Sequence, residues 1–227
     1  MKKKLVVLSG AGISAESGLG TFRDNGGLWE KYEISEVATP EAWAKNQELV
    51  LDFYNQRRLN CIDSEPNDAH YGLKRLEEQF EVHIVTQNID DLHERAGSTK
   101  ILHLHGEILK QKCSVCNVDG ISTVPRGIIK DGDVCSNGHQ LRPHVVWFGE
   151  DVPAMEQAIA ICSEADILLV VGTSLNVYPA ANLVYYTPEN CNLYMIDPNE
   201  VKTDLNCYHI KEPATTGVNT FMEKITA

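Results

Sequence analysis

Five short runs of the chain are apolar at nearly every position, and each is bounded by polar or turn-forming residues. Runs without apolar–polar alternation are typical of strands that are covered on both faces. Segments with helical character separate several of these runs, and this order predicts a parallel α/β sheet. The predicted strands are Leu5–Leu8, Val82–Thr86, Ile101–His105, Ile167–Val171 and Leu193–Ile196.

Helices are predicted between these strands. The first extends from Pro40 to about Cys61, because Thr39 suits an N-cap and proline suits the first helical position. The stretch Cys113–Leu141 is rich in Cys, Gly, Asp and Ser and has little periodicity, so it predicts a small insert between two strands of the main sheet. Further helices are predicted at Asp68–Gln79, Pro153–Ser163, Pro179–Tyr186 and Thr216–Ile225.

Composition excludes several classes of protein. A net charge of −12 argues against tight non-specific binding of nucleic acid, which requires clustered Lys and Arg. The longest apolar runs are far shorter than the roughly 18 residues of a membrane span. The run Leu5–Leu8 is also too short for a secretory signal, whose apolar region needs about 7–15 residues. We therefore expect a cytoplasmic protein with reduced thiols or a metal site.

A glycine-rich segment follows the first predicted strand. Gly10, Gly12 and Ala15 fit the spacing G-x-G-x-x-G/A, in which backbone approaches a pyrophosphate. The alternative is a tight strand-to-helix turn. About twenty residues further on, a dehydrogenase would have a second strand ending in an acidic residue, but the sequence there is "DNGGLWEKYEI". The segment thus favours a dinucleotide site, but not an ordinary NAD oxidoreductase.

Three other predicted strands end in unusually polar loops, "QNIDDLH", "GTSLNVYP" and "DPNE". Ligands of open parallel sheets bind at the carboxyl ends of strands. Such residues also form ordinary turns, but three successive polar strand ends together with the glycine loop favour a nucleotide site. The candidate ligand-binding residues are Gln87, Asn88 and Asp90 in the first loop and Gly172, Thr173 and Ser174 in the second.

Two histidines, His103 and His105, lie two residues apart on a predicted strand and therefore share a face. They are either metal ligands or one structural and one catalytic residue. His105 precedes Gly106 at the strand end, where a neutral imidazole can act as a general base near pH 7. The remaining histidines considered, His70, His83, His93 and His209, are interpreted as surface or satisfied core residues.

The insert contains a possible metal-binding set. Cys113 and Cys116 form C-x-x-C, and Cys135 and His139 follow further along the chain. Three thiols and one imidazole make an accepted ligand set for structural zinc, while the alternative is a degenerate site that no longer holds metal. The isolated cysteines Cys61, Cys162, Cys191 and Cys207 are interpreted as small core residues.

The stretch "LDFYNQRR" places Tyr54 and Arg57 three residues apart, on one face of the first predicted helix. One interpretation is a surface arginine whose stem covers the core. The other is a pair that recognises a carboxylate.

The motifs "GAGISAESGLGTFR", "TQNIDDLHERAG", "HLHGE", "LRPHVVWFGE" and "GTSLNVYPA" together resemble the sirtuins, the NAD-dependent protein lysine deacylases. They occur in the family's order from about Leu5 to Ala180, with a weaker similarity to about Ala214. The chain departs from the family pattern in two places. Cys135 has no thiol partner three residues on, and Asp197 stands where many relatives have asparagine.

This resemblance implies a Rossmann-type parallel sheet with a small inserted zinc-ribbon-like and helical domain. It implies one catalytic domain over residues 1–227. The Rossmann part would comprise about 1–35, 65–110 and 142–227, and the small domain about 36–64 and 111–141. The residues expected to bind NAD are Gly10, Ala11, Gly12, Ser14, Glu16, Thr21, Phe22, Arg23, Trp29, Gln87, Asn88, Ile89, Asp90, Gly172, Thr173, Ser174, Asp197, Pro198, Asn199 and Ala214.

The resemblance also implies the chemistry. The acyl oxygen attacks the anomeric carbon of the nicotinamide ribose and nicotinamide leaves. His105 then deprotonates a ribose hydroxyl, and water finally releases lysine and O-acyl-ADP-ribose. His105, Asn88 and Asp90 are the expected catalytic residues. Acyl-lysine proteins or peptides are the expected substrates, and they are expected to contact Val146, Trp147, Phe148 and Gly149.

Tyr54 and Arg57 match the Y-x-x-R pair of the sirtuin subclass that favours succinyl and malonyl groups, with acetyl as a further substrate. The alternative function is a protein mono-ADP-ribosyltransferase that uses the same NAD site, and a non-catalytic NAD sensor is a further alternative. We expect a monomer without nucleic-acid or membrane partners.

Overall fold

A six-stranded, fully parallel sheet forms the centre of the molecule. The structure is a computed structural model that describes residues 2–20, 31–201 and 206–226, without the side chain of Arg126. The strand order of the sheet is β3-β2-β1-β7-β8-β9, the Rossmann order with its reversal between β1 and β7. The strands are β1 Lys4–Ser9, β2 Glu81–Thr86, β3 Ile101–His103, β4 Gly106–Cys113, β5 Ser122–Thr123, β6 Leu141–Val145, β7 Ile167–Val171, β8 Asn192–Ile196 and β9 Tyr208–Ile210.

Both faces of the main sheet are covered, as the continuous apolar runs predict. Along β1, Leu5 and Val7 belong to one hydrophobic cluster, and Val6 and Leu8 belong to another on the opposite face. All four side chains are fully buried. Each buried aliphatic side chain of this size stabilises the fold by about 1.5–3 kcal/mol. The predicted parallel α/β sheet is thus confirmed.

The cysteine-rich segment interrupts a second sheet, not the main one. β4 and β6 flank it and pair with each other antiparallel, with β5 on the outer side of β4. In chain order the segment lies between β3 and β7 of the main sheet, so the predicted insert is confirmed. That its flanking strands β4 and β6 lie outside the parallel sheet is decided only by the pairing of distant segments.

The helices are α1 Gly12–Ala15, α2 Ile34–Val37, α3 Pro40–Lys45, α4 Gln47–Asp63, α5 Asp68–Leu76, α6 Leu92–Arg95, α7 Met155–Cys162 and α8 Ala214–Thr226. Thr39 caps α3 as predicted, since its hydroxyl accepts from the amide of Ala42 at 3.0 Å. The single long helix predicted from Pro40 is instead divided at Asn46. The Asn46 side chain accepts from the amide of Leu49, so it ends α3 and caps α4.

Two other predicted helices differ in their details. The segment near Pro179 forms a 3₁₀-helix over Ala180–Tyr186, and the C-terminal helix begins two residues earlier than predicted, at Ala214. Among the described residues, no helix combines the length and the apolar character that crossing a membrane requires.

A third hydrophobic cluster joins α4 to the second sheet. Val50, Phe53 and Tyr54 of α4 pack with Ile108 of β4 and with Trp147, which follows β6. This packing sets α4 beside the β6 end and so places both elements along one side of the cavity described next.

Candidate active site

A cavity of about 950 Å³ opens at the carboxyl ends of β1, β2, β7 and β8 and extends to α4. Its position is the reversal point of the strand order, where open α/β sheets bind ligands. Thr21, Phe22, Arg23 and Trp29, which were expected to contact NAD, lie outside the described residues. The other predicted cofactor, catalytic and substrate residues line this one cavity: Gly10, Ala11, Gly12, Ser14, Glu16, Tyr54, Arg57, Gln87, Asn88, Ile89, Asp90, His105, Val146, Trp147, Phe148, Gly149, Gly172, Thr173, Ser174, Asp197, Pro198, Asn199 and Ala214.

The two glycine-containing loops pack backbone against backbone at the cavity floor. The amide of Gly12 donates to the carbonyl of Gly172 at 2.8 Å. A Cβ at Gly12 would lie 2.7 Å from the Cα of Gly172. Gly172 itself has φ +65°, and a Cβ there would lie 2.2 Å from the amide nitrogen of Ile13. Gly12 and Gly172 are therefore required because the two loops pack too closely for any side chain at either position. The G-x-G-x-x-A spacing does not reveal this reason.

A buried polar network connects α1 to the loop after β2. The Ser14 hydroxyl donates to Asp90 Oδ2 at 3.1 Å and accepts from Asn88 Nδ2 at 3.1 Å. Asp90 Oδ1 accepts from the amide of Leu92 at 3.2 Å. Burial raises the pKa of Asp90, and the bonds from Leu92 and Ser14 oppose that shift. Asn88 and Asp90 are therefore held rigidly at the cavity wall.

Another part of the cavity wall is formed by the loop after β8 and the start of α8. Glu16 bonds across this end, since its two carboxylate oxygens accept from the amide and the hydroxyl of Thr215 at 3.0 and 2.7 Å. Asp197 accepts from the amide of Asn199 at 2.8 Å, which fixes the loop after β8.

His105 is mostly buried and lines the same cavity as α4 and the loops after β1, β2 and β7. Its Nδ1 lies 3.0 Å from the carbonyl oxygen of Gln87. Because a carbonyl only accepts, Nδ1 carries the proton and Nε2 keeps a lone pair. Burial lowers the pKa of His105. The ring is therefore neutral near pH 7 and suited to accept a proton at Nε2.

His103 has a different role from His105. Its Nδ1 donates to the carbonyl of Asn88 at 2.9 Å, and its Nε2 donates to Glu94 at 2.8 Å. Burial opposes the charged form, but the bond and charge of Glu94 outweigh it and raise the pKa of His103. The alternative of one structural and one catalytic histidine is thus favoured, and among the described residues no potential metal cluster includes either ring.

The α4 wall contains Tyr54 and Arg57 side by side. Tyr54 is 2% exposed, and its ring centroid lies 6.4 Å from that of Trp147. The guanidinium of the half-buried Arg57 lies 5.9 Å from the Phe53 ring centroid. Burial lowers the pKa of Arg57, while the nearby Tyr54, Asp90 and Cys61 act in the other direction. Both side chains line the cavity, which favours the interpretation of a pair that recognises a carboxylate over that of a surface arginine.

Two further residues of this wall were not among the predicted site residues. Asn60 and Cys61 line the cavity one helical turn beyond Arg57. Their spacing of three and four residues from Arg57 is the signal that identifies them. Cys61 and Cys162 are fully buried as predicted for small core residues, but Cys191 and Cys207 are only partly buried.

An ion pair stabilises the segment Val146–Gly149, which was predicted to contact substrate. Arg142 makes two bonds of 2.8 Å to the carboxylate of Glu150, and its guanidinium lies 3.6 Å from the Trp147 ring centroid. Glu150 also accepts from the amide of Trp147 at 2.8 Å. The Phe148 side chain is left 43% exposed at the cavity rim.

The cysteine segment brings Cys113, Cys116, Cys135 and His139 together, away from the cavity. Their ligand atoms all lie within 4.8 Å of one another, with the Cys116 and Cys135 sulfurs 3.8 Å apart. Tetrahedral zinc with bonds of about 2.3 Å would place two sulfurs about 3.8 Å apart. The amides of Val115 and Cys116 donate to the Cys113 sulfur, as suits a thiolate. The donor set therefore fits a structural zinc with three thiolates and His139 Nδ1.

Comparison with known sequences gives a consistent result. The sequence model of the Sir2 family matches residues 10–179. An NAD-dependent protein deacylase of Aggregatibacter actinomycetemcomitans is 54% identical over 200 residues, which cover 88% of this chain and 95% of that protein. An NAD-dependent protein deacylase of Bacteroides thetaiotaomicron is 48% identical and covers 95% of each chain.

Solved structures agree with the sequence relatives. A Sir2 homologue in complex with NAD has a TM-score of 0.88 and 37% identity, over 99% of this chain and 90% of that one. A mutant Sir2 homologue in complex with ADP-ribose has a TM-score of 0.88 and 36% identity, over 99% and 94%. With the family match over most of its length and relatives near 50% identity, this chain belongs to the Sir2 family.

Proposed function

We propose that this protein is an NAD-dependent protein lysine deacylase that prefers acyl groups with a distal carboxylate, such as succinyl and malonyl, and also accepts acetyl. The single observation that carries the proposal is the common cavity. It combines nucleotide-type loops, a neutral histidine and a Tyr–Arg pair on its walls. The relatives described above are named deacylases, and this supports the reaction class.

Binding of NAD is assigned to the end of the cavity near β1, β7 and β8. Here the loop amides and the network of Ser14, Asn88 and Asp90 can hold the phosphates, the ribose hydroxyls and the nicotinamide amide. The solved Sir2 homologues with NAD and ADP-ribose support this assignment. When bound, NAD supplies the ADP-ribosyl group that accepts the acyl group, with loss of nicotinamide.

Proton transfer is assigned to His105. Its Nδ1–H is held by the carbonyl of Gln87, so its Nε2 lone pair is directed away from that bond. From this position the ring would take the proton of a ribose hydroxyl of bound NAD at its Nε2 atom and so make that oxygen a nucleophile. Low solvent exposure keeps the ring neutral and excludes competing water.

Recognition of the acyl group is assigned to Tyr54 and Arg57. The lysine stem would pass along the apolar side of Trp147, and a distal carboxylate would then meet the guanidinium of Arg57 and the hydroxyl of Tyr54. An acetyl group offers no charge at that point. The same wall therefore gives a selective advantage to acidic acyl groups.

The test is a paired mass-spectrometric assay of one lysine peptide in succinyl and acetyl forms, with and without NAD. For Arg57→Met we expect kcat/KM for succinyl to fall about 10- to 100-fold, the range of a charged hydrogen bond, with acetyl removal changed less than about threefold. Arg75→Met, an exposed arginine on α5, is the matched control and should leave both rates unchanged.

Equal loss of both activities in Arg57→Met would contradict the proposed preference for acidic acyl groups, but it would not contradict the deacylase activity itself. ADP-ribose transfer onto proteins, the alternative, is not favoured, because it has no use for an acyl-recognition wall and the relatives described are named deacylases. Nicotinamide release without loss of either acyl group would revive that alternative.

A further inference from the structure

Two histidines beneath the cofactor loops are not used by the proposed reaction. His70 of α5 and His93 of α6 are both fully buried, and their ring centroids lie 4.9 Å apart in an edge-to-face contact. Burial lowers the pKa of His70 to about 4. Burial, with His70 and His103 nearby, also lowers the pKa of His93 well below its usual value. Both rings are therefore neutral at physiological pH.

Each ring bonds to one of the elements that form the cavity floor. His93 Nε2 lies 3.0 Å from the hydroxyl of Ser9, the residue before Gly10. Ser9 in turn donates to Thr86 Oγ1 at 2.9 Å, and the same oxygen accepts from the amide of Asn88 at 3.0 Å. His93 thus connects to both the loop after β1 and the loop after β2.

His70 reaches the same floor through Asn67. The amide of Asn67 donates to His70 Nδ1, and Asn67 Nδ2 donates to the carbonyl of Ile13 at 2.8 Å and to the hydroxyl of Ser17 at 3.0 Å. Ile13 belongs to α1, the helix that also carries Ser14. His70 is therefore connected to α1 through Asn67.

Hydrogen bonds fix the proton position on the His93 ring and join the His70 ring to Asn67. His70 Nδ1 lies 3.3 Å from the Asn67 amide and 3.0 Å from Asn67 Oδ1, so both contacts of this nitrogen are to Asn67. The Ser9 hydroxyl donates to Thr86, so it accepts from His93 Nε2–H and leaves His93 Nδ1 as an acceptor. Within the described ranges, His70 Nε2 and His93 Nδ1 have no hydrogen-bond partner, so the two rings are joined by their edge-to-face contact.

We propose that His70 and His93 act together as a positioning pair that holds the loops after β1 and β2 in the geometry that NAD requires. The proposal rests on the proposed function, because NAD is the ligand whose site the pair supports. Neither ring lines the cavity, so both act through Ser9, Thr86 and Asn67.

The test compares His70→Phe, His93→Phe and the double variant with His83→Phe. His83 is the matched control because it lies at the opposite end of β2, beside Glu81. We expect each single variant to raise KM for NAD about tenfold with kcat changed less than about twofold, because each removes a ring's bond to Ser9 or to Asn67 at the cavity floor. The double variant should be no worse than either single one. Unchanged KM values in folded variants, or additive effects in the double variant, would overturn the proposal.

A second measurement does not depend on whether the variants fold. In the wild-type chain with ¹⁵N-labelled histidine, NMR should show both rings neutral at pH 6, with the His93 proton on Nε2. A charged ring in either residue, or a proton on His93 Nδ1, would overturn the proposal. Titration calorimetry of NAD binding distinguishes failure of this inference from failure of the proposed function. If the function is wrong, wild type does not bind NAD, whereas if only this inference is wrong, wild type and variants bind NAD equally.

Discussion

Arg57 and Arg58 are neighbours in the chain but lie on different sides of α4. Arg57 lines the cavity. Arg58 is fully buried, and its guanidinium donates to the carbonyl of Ile108 at 2.6 Å and to the side chain of Asn55 at 2.6 Å. Burial lowers the pKa of Arg58 to about 10. The spacing to Tyr54 identified Arg57 from sequence, but no pattern showed that the next residue would tie α4 to β4.

At the same scale, His105→Asn should separate the two halves of the reaction. Removing the base should lower deacylation about 10²- to 10⁴-fold, the usual contribution of general base catalysis. Exchange of labelled nicotinamide into NAD should persist, because loss of nicotinamide precedes the proton transfer. His83→Asn is the control. Loss of exchange and deacylation together would move the base elsewhere or assign His105 to cofactor binding.

The pH profile of the wild-type enzyme is a separate prediction for His105. Burial lowers the pKa of this ring below its usual 6.5, and only the neutral ring can accept a proton. As the pH falls, kcat/KM should therefore stay constant down to pH 6.5 and should decline only when the pH approaches the lowered pKa of His105. The measurement is kcat/KM from pH 5 to 8. A decline centred above 6.5 would show that the ring gains a proton more easily than its burial permits.

Among the elements, the hairpin that carries Cys135 and His139 shows how a short segment can complete a ligand set. The amide of Cys135 donates to the carbonyl of His139 at 2.9 Å, and Gly138 has φ +81°. Because of this tight turn, the imidazole of His139 lies beside the thiol of Cys135 and close to the Cys113–Cys116 pair. A second C-x-x-C is therefore unnecessary for four donors.

At this scale we predict that the purified protein holds about one zinc ion per chain, with His139 as a ligand. Cobalt substitution should give visible bands of a tetrahedral site with three sulfurs and one nitrogen. His139→Ala should lower metal content and thermal stability, His139→Cys should retain both, and Cys191→Ser, outside the cluster, should change neither. A stable wild-type protein without metal would support the degenerate-site alternative.

For the whole molecule, the cavity depends on several distant segments that meet at one edge of the sheet. The loops after β1, β2, β7 and β8 come from parts of the chain almost 200 residues apart, and α4 closes the side beside the second sheet. The domain division, the monomeric state and the cytoplasmic location stay predictions.

Because these segments share one ligand, NAD should stabilise the whole fold. At a concentration of 100 times Kd, binding adds about 2.7 kcal/mol to the free energy of unfolding, which raises Tm by about 5–10 °C for a chain of this size. Differential scanning fluorimetry measures the shift. Asn88→Ala should reduce it, since the variant loses the bond to Ser14. A wild-type Tm that NAD leaves unchanged would contradict the assignment of the cavity.

The sequence by itself determined the parallel sheet, the polar strand ends, the Y-x-x-R pair and the metal-ligand set, because each depends on local composition or short spacing. Tertiary structure alone decided that β4 and β6 form a separate sheet, that the backbone of Gly172 packs directly against Gly12, and that the rings of His70 and His93 are in contact. These features depend on contacts between segments far apart in the chain. Burial, and with it the opposite pKa shifts of His103 and His105, follows from those contacts and not from each residue's immediate neighbours.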